Sequence, residues 1–413
     1  TSNKKNKNLL LFNGFYSLDD LNYQKFKVNH NFNKANQNYI IDLDLAENIF
    51  LEVINFQTDS KKISNIKVEH SLKNKKFTFK TIDFTEGKNT ISVKNLVLNK
   101  KKEIEKISSI KIQTFNKKKE NNNFVINFGK KISITGDKFD SSNILKLFSN
   151  ASKSNLFKNF NNEVEVKIKN LITKSKIPLS NFNLIGSIKN GIFNRISAKS
   201  EFSEGAYLDI SLKKNLNNKK ILEVYSDSPQ VLLGDLNFFE GIKDGKLLYT
   251  SEFDEISSIS NLTIENFKVI KAPAFATLLT LADFGGVTDL LSGKGMTFDV
   301  LKITTKENQN VTTVEEILAL GPSLSLHMQG YIEKKTGLVS LDGTLVPAKM
   351  LNSLVSKIPV VGGILVGDKV GEGVFGVSFK MKGLPGNIKT TVNPVKTITP
   401  RFITRALEKM KKN

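Results

Sequence analysis

The chain has 413 residues, 39% of them hydrophobic, and its 61 lysines and arginines against 40 acidic residues leave a net charge of +21. That length fits two or three modules of about 150 residues, and the apolar share excludes a disordered or collagen-like chain. The complete absence of cysteine removes disulfides, thiolate metal sites and cysteine nucleophiles.

From about Asn38 to Phe139, short apolar-patterned runs alternate with polar turns, the period-2 pattern of antiparallel strands. The runs are 39–56, 66–68, 77–84, 91–98, 107–115, 124–128 and 132–134, separated by Lys-Asn-rich turns such as 99–102 and 116–123. Around 138–157 the period changes: Ser141 and Ser142 are placed as caps, and Ile144, Leu145, Leu147 and Phe148 predict a short amphipathic helix. This gives an N-terminal β-meander over 1–139, a helical linker over 140–162 and a C-terminal β module over 163–413.

Strand patterning resumes at Val164. Leu208, Ile210 and Leu212 share one face, as do Leu324, Leu326 and Met328, Val339 and Leu341, and Phe375, Val377, Phe379 and Met381. Apolar spacing at i, i+3 and i+4 predicts helices over 274–284 and 348–358. A third helix, opened by Pro400, spans 399–412 and sets Phe402, Ile403 and Leu407 against Arg401, Arg405 and Lys409. It is a basic amphipathic helix that either lies on a membrane surface or caps the sheet.

The charge points to anionic partners, nucleic acid or lipid head groups. Arg195, Arg401 and Arg405 are the only arginines, so the excess is almost all lysine in a chain equally rich in Asn and Ile, and a compositional bias explains the skew as well. Few arginines and no tryptophan leave nucleic-acid binding as the weaker alternative. His30, His70 and His327 have no second ligand at i+2 or i+4, and no nucleophile elbow, Walker loop or paired-histidine helix is present, so neither metal, cofactor nor catalytic residues are expected. What periodicity leaves open is whether one-sided apolar strands enclose their own core or curl into a trough that acyl chains fill.

Between about Ile264 and Leu407 the chain carries, in order, 267–273 (FKVIKAP), 285–298 (GGVTDLLSGKGMTF), 321–324 (GPSL), 343–348 (GTLVPA), 358–362 (IPVVG), 371–377 (GEGVFGV), 392–394 (VNP) and 399–402 (TPRF). These words and their order resemble the C-terminal region of the AsmA-like envelope family, the group of AsmA, TamB and YhdP. The resemblance implies a mainly β fold: an elongated, curled antiparallel sheet forming a U-shaped groove, with a few short amphipathic helices. It also implies a non-catalytic protein of the bacterial periplasm, anchored to the inner membrane by a segment outside this chain, with phospholipids and the inner or outer membrane as partners. Its function would be phospholipid transport between the membranes or outer-membrane integrity. On this basis Leu208, Ile210, Leu324, Leu326, Met328, Val339, Leu341, Phe375, Val377, Phe379 and Met381 are the expected groove residues. Arg401, Phe402, Arg405, Leu407 and Lys409 are the expected membrane contacts. A structural β scaffold without lipid is the alternative.

Overall fold

The computed structural model describes residues 8–32, 36–45, 47–73, 76–143, 160–173, 178–202, 205–233, 241–270, 295–347 and 377–393. Among these, 73% are strand and 3% helix. The 24 strands of the main ladder build mostly antiparallel sheet that is open and curled and does not close into a barrel. The chain divides into two compact units, Thr1–Gly205 and Ala206–Asn413.

In the first unit, Asn8–Tyr16, Gln24–Phe32, Gln37–Leu45, Ser64–Lys73, Lys76–Glu86 and Asn89–Leu98 pair in sequence as an antiparallel meander. Ser109–Asn116, Lys119–Phe128 and Lys131–Asp140 continue it. Lys131–Asp140 then pairs in parallel with Glu163–Ile172, after which Leu179–Lys189 and Ile192–Glu201 are antiparallel again. This parallel seam joins the stretches on either side of 140–162, and the two compact units meet in sequence at 205/206. The short helix expected at Ile144, Leu145, Leu147 and Phe148 lies outside the described residues. Ser141, placed as its cap, donates both its backbone N–H and its hydroxyl to the Ile172 carbonyl at 2.9 Å. Strand structure also starts earlier than the alternation suggests, because Leu9–Phe12 is an unbroken apolar run with no period to read.

The second unit runs antiparallel through Tyr207–Lys214, Lys220–Ser226, Lys246–Phe253, Ser258–Val269, Met296–Glu307 and Val311–Leu320. Leu324–Glu333, Val339–Pro347, Val377–Leu384 and Asn387–Asn393 complete the ladder. The short helix Pro229–Leu233 interrupts it.

Asparagine has a structural use in this sheet. Asn95, Asn181 and Asn266 sit within strands at φ of 53° each, the left-handed region that Asn tolerates better than other side-chain-bearing residues. Asn181 lies where the register slips between Ser180 and Asn183. Such a bulge bends a strand and increases local twist, which is how a long sheet curls.

The expected helices over 274–284, 348–358 and 399–412 lie outside the described residues, as do Phe375, Arg401, Phe402, Arg405, Leu407 and Lys409. Among the described residues, no helix is long and apolar enough to cross a membrane.

Candidate functional site

Side chains directly opposite one another in a ladder share a face and touch, so register alone decides whether apolar residues on separate strands become one surface. In the first unit they do. Phe12 pairs with Val28, Val28 with Ile41, Ile41 with Val68, Val68 with Ile82 and Ile82 with Val93. The row goes on through Ile110, Ile126 and Ile134, crosses the parallel seam to Val166, and ends with Leu184 and Ala198. No polar residue interrupts it. At about 4.8 Å per strand it extends for roughly 50 Å.

A parallel row lies two residues along: Phe26, Leu43, Ile66, Phe84, Ile91, Ile112 and Phe124. On the other side, His30, Tyr39, His70 and Phe79 face one another across four strands, with ring centroids 4.2 Å apart for His30–Tyr39 and 4.8 Å for His70–Phe79. A register shift between Glu69 and His70 makes this possible: it sets Phe79, not Lys80, opposite His70. The next row on the opposite face is Asn13, Lys27, Asp42, Lys67, Asp83, Ser92, Lys111, Val125, Thr135, Lys167, Asn183 and Lys199, polar at all but one position.

The apolar floor is only partly covered. Val28, Ile41, Val68, Ile82, Val93, Ile110, Ile126 and Ile134 are all half-buried, and full burial is reached only at Val166 and Ala198. One margin is closed by the excursion between Leu45 and Ser64. There the hairpin of Phe50–Leu51 with Phe56–Gln57, joined by a 3-10 turn at Glu52–Ile54, brings Phe56 edge-on to Phe84 at 5.8 Å. A buried polar network fastens it. Asn122 Nδ2 donates to the Ile54 carbonyl at 2.7 Å and to Thr114 Oγ1 at 2.8 Å, and Asn122 Oδ1 accepts from the Asp140 N–H at 2.9 Å. Glu86 accepts from the Asp59 N–H and from Asn89 Nδ2, both at 2.7 Å.

Charge on the polar face is interleaved, with Lys80 paired to Glu69 at 2.9 Å and Arg195 to Glu163 at 3.1 Å. Glu165 lies between Lys131 and Lys167, whose hydrogen bonds hold its carboxyl at about 2.

The second unit treats its apolar face differently. Leu247, Ile264, Leu301, Ala319, Leu326 and Leu345 form a continuous row whose exposures lie between 0% and 7%. Of the residues expected in a groove, Leu324, Leu326, Met328, Leu341 and Phe379 belong to this packed cluster, and Val339, Val377 and Met381 lie half-buried against it. Leu208 is buried and Ile210 half-buried on the strand that opens the unit. Register thus brings the described ones among the expected residues together on one face, with five of them inside the packed cluster. The half-covered floor of the first unit contains none of them. Most of its strands show one-sided alternation in the sequence, yet their continuity depends on the register of every pairing and on the Lys80 bulge. A polar notch of about 340 Å³ interrupts the second unit's face, lined among others by Tyr249, Ser251, Ser258, Ser260, Glu307 and Lys334.

Among the described residues, no group of three or more His, Asp or Glu side chains is placed to hold a metal ion. No family model, curated protein or solved structure matches this chain.

Proposed function

We propose that the chain is a non-catalytic lipid-accommodating protein whose first unit offers acyl chains an apolar floor. One observation carries this reading: the unbroken row from Phe12 to Ala198, every member apolar, most members only half-buried. Burying an acyl chain there yields about 0.8 kcal/mol per methylene, and the polar opposite face keeps the other side of the sheet wet. Movement along such a floor is passive partitioning, so direction comes from a concentration gradient or an energy source elsewhere. In keeping with the resemblance of 264–407, this lipid is a phospholipid and the setting is the periplasm between the inner and outer membranes of a bacterial envelope.

The test places a charge in the middle of the floor. Ile82→Asp and Ile110→Asp are expected to strip co-purifying phospholipid, measured by extraction and mass spectrometry, while far-ultraviolet circular dichroism still reports a folded sheet. Wild-type lipid content in both folded variants, or a wild-type protein that carries and takes up no lipid, would overturn the proposal.

A further inference from the structure

The floor reaches a sheet edge, and that edge lacks the protection edges normally have. Among the described residues Asn8–Tyr16 pairs only with Gln24–Phe32, and none of them pairs with the backbone N–H and C=O groups along its other side. Natural sheets guard such edges with lysine, proline, bulges or short strands. This strand is nine residues long, reads NLLLFNGFY, and has neither proline nor charge. Among the described strands of seven or more residues, it alone carries no Lys, Arg, Asp or Glu. Its apolar side chains are exposed on both faces, with Leu9 at 57% and Leu11 at 62% on the polar side of the sheet and Phe12 at 51% on the floor side.

We propose that this edge pairs antiparallel with the same strand of a second copy, joining two sheets through a two-fold axis at Phe12. Backbone hydrogen bonding requires the occupant to be an extended strand, and the side chains select this one. Full overlap of the nine residues sets Phe12 against its own counterpart, Leu9 against Phe15, and Leu10 against Gly14, beside the Phe26 ring that lies over that glycine. No like charges meet. Self-pairing of any other described strand of seven or more residues brings charged residues into the new pairing. The apolar row then runs on from Val28 and Phe12 into the Phe12 and Val28 of the second copy, doubling the floor. Among the described residues the nearest lysines, Lys25 and Lys27 on the adjoining strand, lie more than about 14 Å from their counterparts across the junction, beyond the screening length of about 8 Å at physiological salt. Long-range repulsion between two chains of charge +21 still weakens the pairing at low salt.

Light scattering behind size exclusion, on the whole protein over the micromolar range, is expected to give a dimer at physiological salt that dissociates at low salt. Leu11→Lys sets two like charges diagonally across the junction, roughly 8 Å apart, and Leu9→Lys puts a charge where the apolar Leu9 met Phe15; neither touches the floor, and each is expected to weaken self-association roughly tenfold or more while bound lipid stays unchanged. Because the chain contains no cysteine, Phe12→Cys is expected to give a disulfide-linked dimer under mild oxidation and Leu18→Cys is not. A wild-type monomer at every concentration and salt overturns the proposal, as does a dimer indifferent to Leu11→Lys. So does an edge whose lysine variants lose binding to another protein or to phospholipid vesicles while the mass remains that of one chain.

Discussion

Gly343 shows how tightly the second unit is filled. A Cβ there would lie 2.3 Å from Phe379 Cζ and 2.8 Å from the His327 carbonyl oxygen, so Gly343→Ala is expected to destabilise by about 1–3 kcal/mol through overpacking. Met328→Ala, in the same cluster, should cost about 2–5 kcal/mol. Both are read from chemical denaturation, and neither should alter lipid content, since the floor lies in the other unit. His327 supplies the pH dependence. Burial lowers its pKa below the ordinary 6.5, outweighing the opposite pull of Glu316 at 3.7 Å. The unfolded chain therefore binds the proton more readily, and stability falls as pH drops below 6.5. His327→Gln should flatten that slope between pH 7 and 5 in thermal denaturation. The alternation of Leu324, Leu326 and Met328 was legible in the sequence. Their enclosure was not, because it is decided by the cross-strand neighbours Ile317, Ala319 and Leu345.

At the scale of elements, the excursion at 46–63 is held by a few buried polar contacts. The sequence reads 39–56 as one run, but strand pairing stops at Leu45 and the chain folds back so that Phe56 covers Phe84. Nothing in the apolar pattern signals this, since the fastening comes from Asn122, Glu86 and Asp140, which are distant in sequence. Asn122→Ala leaves the Ile54 carbonyl without its buried donor and is expected to cost about 1–3 kcal/mol. Hydrogen exchange should report the loss first, as faster exchange at the Thr58 N–H, which donates to the Ile49 carbonyl at 3.0 Å. Exchange across 50–58 identical to wild type would show that the network does not fasten the excursion.

For the whole molecule, what matters is that each long strand touches little beyond its immediate neighbours in the ladder. Stability is then close to a sum of nearest-neighbour terms, as in repeat proteins. The sequence revealed the β class and the one-sided faces, because both are local properties. It did not reveal which face stays half-open, because that is a property of register accumulated over many pairings. Modularity makes length an adjustable quantity. Removing the hairpin of Lys76–Glu86 and Asn89–Leu98 would leave the strands on either side still antiparallel to each other, with Val68 able to meet Ile110 where Ile82 and Val93 had stood between them. Such a deletion should fold, with reach reduced by about 10 Å. Duplicating the hairpin should lengthen it equally, so that gene-level gain or loss of one turn-and-return unit sets how far the floor extends.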